Sequence, residues 1–313
     1  MVRLAVSMGD PAGVGAELCV RAALAPEFHD VEFRFYGAQG VLDEAWRRWG
    51  KGSTVPAAAF DGGLAFADVP VGKADARCGK VAYDALTAAT QAVRGGDCAA
   101  LVTAPMNKYS VNLAGIPFTG HTERIAELCR CSDFAMLQST GSLRVIFATT
   151  HIPIADVPKQ LTRERIVLVA KLLADAIREE GIASPKLAAA ALNPHAGENG
   201  CMGHEENDTV IPALEELRAA GIDIDGPYPP DVMFIERIRS RYDGLVAMYH
   251  DQGHIPVKML AFESCVNSTL GIPIIRTSPD HGTAFDIAWK GVADTGSFFA
   301  AIRLALRRAA HRA

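Results

Sequence analysis

Short apolar runs of four to eight residues, each ended by turn-forming residues and separated by longer amphipathic stretches, recur along the 313-residue chain. "RLAVSMG", "VEFRFYG", "AALVTAP", "LRVIFATT", "KLAAAALNP", "GLVAMYH" and "IPIIRTS" have the composition of buried strands. Between them, "TRERIVLVAKLLADAIREEG" opens on Thr162, has Glu164 two residues on, and closes on Gly181, as an amphipathic helix should. "NDTVIPALEELRAAG" predicts a second helix, opened by a capping Asn or Asp and stopped at Gly221. Strand followed by helix, repeated, means an α/β fold with a largely parallel sheet. The length suggests about two domains. With no repeat or Gly/Ser-rich linker visible, two domains would interleave tightly.

Charge and composition remove several function classes. A net charge of -5 and a pI near 6.0 leave no basic footprint, so no nucleic-acid partner is expected. The apolar run in "MVRLAVSMGDPAG" is too short for a signal peptide, and no segment approaches the ~18 apolar residues of a membrane span. A soluble, cytoplasmic protein without a membrane partner is therefore expected. Seven cysteines, at 19, 78, 98, 129, 131, 201 and 265, fit reduced thiols better than a disulfide frame. Cys201 and His204 read as loop residues.

Chemistry gathers where the apolar runs end, which in open α/β sheets is where ligands bind. "SMGDPAGVGAEL" follows the first strand, and its glycines either let backbone N–H groups approach a ligand or simply make a tight turn. The chain lacks the GxGxxG dinucleotide fingerprint. Lys108, His121 and Thr122 lie close to an apparent helix start at Glu123, a natural phosphate or carboxylate site unless Thr122 is only a cap and Lys108 only a surface charge. His151, His195 and His250 each stand just past a probable strand, 44 and 55 residues apart. One such histidine is commonly structural, but three raise the prospect of a shared divalent metal, with Asp231 and Asp251 as direct or outer ligands. Lys258, Asn267 and Arg276 form a candidate anion-binding set, and Asp280, His281, Gly282 and Thr283 form a turn that either presents amides to a nucleotide phosphate or starts a helix.

Together "GDPAGVGAE", "GHTE", "TTHIPI", "LNPHAGENGCMG", "GPYPPD", "YHDQGHIPVK" and "VNSTLGIPIIRTSPDHGTA" resemble the 4-hydroxythreonine-4-phosphate dehydrogenase family of vitamin B6 biosynthesis, in order from residue 7 to about 297. The resemblance implies two α/β/α domains with an isocitrate-dehydrogenase-like fold, an active site in the interdomain cleft, and a homodimer with shared sites. One domain would be residues 1–125, completed by about 285–313; residues 126–284 would carry the metal ligands and dimer interface. It implies His151, His195 and His250 as ligands of Zn, Mn, Co or Mg, some of them from opposite subunits. His121, Thr122, Lys258, Asn267 and Arg276 would contact substrate. Asp231 and Asp251 would line the pocket, and NAD (or NADP) would lie near Asp280, His281, Gly282 and Thr283.

The implied reaction is oxidative decarboxylation of a phosphorylated hydroxy acid, with Lys258 transferring a proton from a desolvated position. One branch of the family acts on D-threonate or D-erythronate 4-phosphate, and "GHIPVK", with His254, resembles that branch. A relative oxidises a cis-dihydrodiol of an aromatic dicarboxylate, which carries no phosphate; here Lys108, His121 and Thr122 are intact. A non-catalytic metabolite sensor is the remaining alternative.

Overall fold

The computed structural model describes residues 1–312. The chain forms two compact units, the first from Met1–Ser132 and Ile272–Ala309, the second from Asp133–Gly271 and the chain from Ala310 on. The first begins with β1 (Val2–Ser7), α1 (Gly15–Ala23), β2 (Val31–Gly37), α2 (Gln39–Trp49), β3 (Phe60–Asp61), α3 (Ala76–Arg94), β4 (Ala100–Thr103), α4 (Lys108–Leu113) and α5 (His121–Cys129). The second holds β5 (Ala135–Thr140), β6 (Leu143–Phe147), α6 (Val157–Gln160), α7 (Arg163–Arg178), β7 (Lys186–Ala190), α8 (Ile211–Ala219), β8 (Asp223–Tyr228), α9 (Pro230–Met233), α10 (Glu236–Arg239), β9 (Gly244–Ala247), α11 (His250–Ala261) and β10 (Val266–Leu270). The chain then returns to the first unit as β11 (Arg276–Pro279) and α12 (Gly296–Arg312).

All seven runs read as strands contain one. In the first unit the order is β3-β2-β1-β4-β11, parallel throughout. In the second it is β10-β5-β6-β9-β7-β8, where β6, β9, β7 and β8 are parallel but β5 runs antiparallel to both β10 and β6. That departure from a parallel sheet follows from connection length. Only a tight turn through Gly141 (φ +56°) separates β5 from β6, and a parallel neighbour would need a crossover. The unit boundaries fall at 132 and 271 rather than near 125 and 284, because α5 completes the first unit and β11 is held beside β4 (Arg276↔Leu101, Thr277↔Val102).

Thr162 caps α7 as expected, its Oγ accepting the Arg165 N–H at 3.2 Å. The second predicted helix starts differently. A π-helical turn, Glu206–Val210, precedes α8, so Asn207 and Asp208 lie inside that turn and no side chain caps either element. Alternation along the strands gives the second unit two cores. Ile146, Val246, Leu187 and Ala189 pack with α7 and α8, while Val145, Phe147, Leu245, Ala247, Ala188 and Ala190 pack with Met233 of α9 and Val257 of α11. Helices on both faces make this unit an α/β/α layer. No helix among the described residues is long and apolar enough to cross a membrane.

Helix α11 sits close on β6 because Gly253 has no side chain at the contact. A Cβ on Gly253 would lie 2.6 Å from the Phe147 ring and 2.8 Å from Val145 Cγ1. Gly253→Ala would gain roughly 0.5–1 kcal/mol of helix propensity, but overpacking a buried site costs about 1–3 kcal/mol. Net destabilisation is expected, read as a lower urea midpoint with unchanged slope. An unchanged or raised midpoint would show that the helix shifts outward freely.

Candidate active site

Strand β9 is flanked in parallel by β6 (Phe147↔Ala247) and by β7 (Ala189↔Val246). The C-terminal ends of these three strands therefore lie side by side, and each is followed by a histidine: His151, His195 and His250. Backbone bonds continue the first pairing past the strands, Ala148 N–H to the Ala247 carbonyl (2.8 Å) and Thr149 N–H to that of Met248 (3.1 Å). This brings the His151 and His250 rings to 5.5 Å centroid to centroid. Both line a pocket of about 260 Å³ with Thr150, Tyr249 and Asp251. The Asp251 carboxylate accepts from His250 Nδ1 at 2.6 Å, which leaves Nε2 to face a ligand.

Two residues that sequence reading left without this role support the cluster from below. Gln252, buried, accepts the Met248 N–H through Oε1 (2.6 Å) and donates through Nε2 to the Ala191 carbonyl (2.7 Å), tying the ends of β9 and β7 together. His254, only 5% exposed, stacks on His250 (3.8 Å between centroids) and on Phe147 (4.2 Å). Its Nδ1 donates to the His250 carbonyl at 3.0 Å. Burial and the adjacent His250 hold its imidazole down to about 4. His254 is thus a neutral spacer packed behind His250.

The other expected residues of this unit do not line that pocket. His195 is exposed and does not line that pocket. Among the described residues no group of three or more His, Cys, Asp or Glu side chains could hold a metal, so one chain supplies two imidazoles together and not three. Asp231 is exposed in the first turn of α9. Lys258 is exposed on α11 rather than in the desolvated position expected of it. Asn267 lies on β10 opposite Gln138.

The first unit brings together residues whose chemistry suits an anion. Arg276, at the start of β11 and 3% exposed, donates to Thr103 Oγ at 2.9 Å. Burial lowers its pKa to about 10 against the opposing Glu123 charge, so it is a cation at neutral pH. His121 opens α5, whose N-cap is Gly120, so Thr122 lies in the first turn and is not the cap. The residue is half-buried, but its Nε2 is sealed from solvent with no hydrogen-bond partner among the described residues. Burial, then the positive charge of Arg276, holds the imidazole down to about 3, against a bond to the Ala104 backbone; Lys108 adds a smaller push. A buried guanidinium, a neutral imidazole and a helix N-terminus together suit a phosphate or carboxylate.

The two glycine turns pack on each other. A Cβ on Gly9 (φ +72°) would meet the Pro105 carbonyl at 2.2 Å, and one on Gly15 would meet that of Met8 at 2.0 Å, so these glycines serve close backbone packing. Val14 N–H donates to the Thr283 carbonyl at 3.1 Å. Asp280 N–H bonds Ser297 Oγ (3.1 Å), His281 Nδ1 bonds the Gly282 carbonyl (2.9 Å), and a Cβ on Gly282 would meet nothing within 4 Å. No helix starts at this turn; α12 begins at Gly296.

The family model "PdxA: Pyridoxal phosphate biosynthetic protein PdxA" matches residues 26–305, and the chain belongs to that family. It is 40% identical to D-threonate 4-phosphate dehydrogenase of Salmonella typhimurium, covering 98% of each chain. It is 43% identical to 4-hydroxythreonine-4-phosphate dehydrogenase of Caulobacter vibrioides, over 99% of this chain and 98% of the relative. A crystal structure of 4-hydroxythreonine-4-phosphate dehydrogenase from Klebsiella pneumoniae superposes with a TM-score of 0.83 at 37% identity, covering 99% and 100% of the two chains. Isocitrate dehydrogenase from Methylococcus capsulatus, at 15% identity and a TM-score of 0.51, shares the fold.

Because folded His121 takes a proton only near pH 3 while an unfolded histidine takes one near 6.5, unfolding binds a proton between those values. Its contribution to stability is complete above about pH 6.5 and is lost as the pH falls below that, at up to ~1.4 kcal/mol per pH unit. The urea midpoint should therefore fall more steeply between about pH 6 and 4.5 in the wild type than in His121→Asn. Equal slopes would show that His121 titrates normally.

Proposed function

We propose that the protein is a dehydrogenase that oxidises and decarboxylates a 4-phosphorylated 3-hydroxy acid, 4-hydroxythreonine 4-phosphate or D-threonate or D-erythronate 4-phosphate, using NAD and a divalent cation. The observation that carries this reading is the buried Arg276 cation beside neutral His121 at the start of α5, in a chain about 40% identical from end to end to a D-threonate 4-phosphate dehydrogenase. An aromatic cis-dihydrodiol offers that anion site no phosphate.

When bound, NAD supplies the hydride acceptor and a divalent cation supplies Lewis acidity. His151 and His250 fit two imidazole ligands, and nitrogen donors suit Zn, Mn or Co better than Mg. His195 completes the set from a partner subunit in a homodimer. Ile255, Met259 and Leu260 of α11, 57%, 81% and 49% exposed in the single chain, support such a partner, since a cluster of large exposed apolar side chains marks an interaction surface. Asp280, His281, Gly282 and Thr283 hold the dinucleotide.

His121, Thr122 and Arg276 grip the phosphate, and that binding energy orients the distant C3 carbon. Lys258 and Asn267 bind the acid end. Lys258 moves protons, taking the C3 hydroxyl proton during oxidation and returning one to the enolate carbon after carbon dioxide leaves. Since Lys258 is exposed in the single chain, its desolvation comes with substrate and partner. Asp251, engaged with His250, orients that imidazole.

Purified protein with NAD and Mn²⁺ should form NADH from one or more of these phosphorylated acids and not from their dephosphorylated forms. Equal rates without the phosphate would overturn the substrate class. Arg276→Lys, which keeps charge but loses the guanidinium's fork, should raise KM about 10- to 100-fold, the worth of one or two charge-assisted bonds. An unchanged KM would remove Arg276 from the site.

A further inference from the structure

The turn that carries His195 is built from backbone conformations that L-residues avoid. His195, Ala196, Glu198 and Asn199 have φ of 53°, 55°, 43° and 55°, with Gly197 between them at 73°. Four non-glycine residues in succession around one glycine in the left-handed region are costly and persist only where the surroundings hold them. His195 is exposed at the first of these positions, so backbone geometry rather than packing sets the direction in which its side chain leaves the chain.

What holds the turn is a buried carboxylate. Glu206, 1% exposed at the start of the π-helical turn, accepts the Leu192 and Asn193 N–H groups on Oε1, both at 2.8 Å, and Asn193 Nδ2 on Oε2 at 2.9 Å. Asn193 Nδ2 also donates to Glu205 Oε2 at 2.7 Å. All three donors to Glu206 belong to the two residues just before Pro194, and the left-handed run begins at the next residue, His195. A Cβ on residue 197 would lie 2.5 Å from Glu206 Oε2, so the turn closes over the carboxylate only because Gly197 has none. π-helical turns of this kind recur at functional sites, where they re-aim side chains.

We infer that Glu206 is the positioning residue for His195: its carboxylate locks the left-handed turn and thereby presents the imidazole to the cation. The second half of this statement rests on the reading of His195 as a metal ligand; the first half does not. Loss of the acceptor leaves the Leu192 and Asn193 backbone N–H groups without it and the Asn193 amide with Glu205 alone, and the turn relaxes. Outer-sphere groups of this kind typically change metal affinity 10- to 100-fold.

The test uses the full-length protein with Glu206→Gln, which keeps shape but turns an amide NH₂ against Asn193 Nδ2. Two quantities are measured: hydrogen exchange of residues 192–203 without metal, and Co²⁺ affinity followed through its visible absorption, with His195→Ala in parallel. The inference expects faster exchange confined to that turn and a roughly 10- to 100-fold weaker Co²⁺ affinity in both variants. Unchanged exchange overturns it, as does a weakened affinity in His195→Ala with a wild-type affinity in Glu206→Gln. Faster exchange with unchanged Co²⁺ affinity in both variants keeps the lock and overturns the metal role of His195 instead. Should Glu206→Gln fail to fold, Asn193→Ala, which spares the two backbone bonds, is read in the same way.

Discussion

The parallel pairing of β9 with a strand on either side is the constraint on which the second unit's chemistry depends. Its register with β6 and β7 places three chain exits at one edge of the layer, and each exit carries a histidine. The backbone groups beyond the last ladder bonds need partners, and Gln252 supplies them across two strand ends at once. Helix α11 can begin at His250 and lie close on β6 because Gly253 leaves room for the Phe147 ring. Sheet register, a buried amide and a missing side chain together bring the His151 and His250 rings to 5.5 Å.

In the first unit burial sets the charge state of the site. Arg276 remains a cation after desolvation because guanidinium starts with so high a pKa. His121 starts near neutrality, and the same burial, with a cation beside it, leaves its ring uncharged. One environment thus produces a charged donor and a neutral one side by side, a pair with a single net positive charge, which suits an anion. In the second unit, by contrast, His250 keeps an exposed carboxylate neighbour, Asp251, which favours a defined tautomer.

Much of this was legible locally. The apolar runs marked seven strands correctly, because parallel strands buried on both faces show as continuous apolar segments. β5 and β10 escaped notice because buried polar residues, Gln138 and Ser139 in one and Ser268 and Thr269 in the other, interrupt the apolar signal. His151, His195 and His250 stood out by position after their strands. Glu206 did not, since a glutamate before a helix reads as an ordinary first-turn acid unless one knows that its oxygens reach back to Leu192 and Asn193. The packing of His254 was hidden for a related reason: nothing in "GHIPVK" tells that its ring stacks on Phe147.

The sequence by itself determined the α/β class, the strand-end placement of the chemistry, and the residue types that can bind an anion and a cation. These are local properties, written in runs of five to ten residues and in the side chains that end them. Only the tertiary structure decided which strand ends adjoin, that His121 is neutral, that His254 is buried, and that a carboxylate holds the turn of His195. Each of these depends on contacts between residues distant along the chain, and burial or a hydrogen bond exists only once those residues have met.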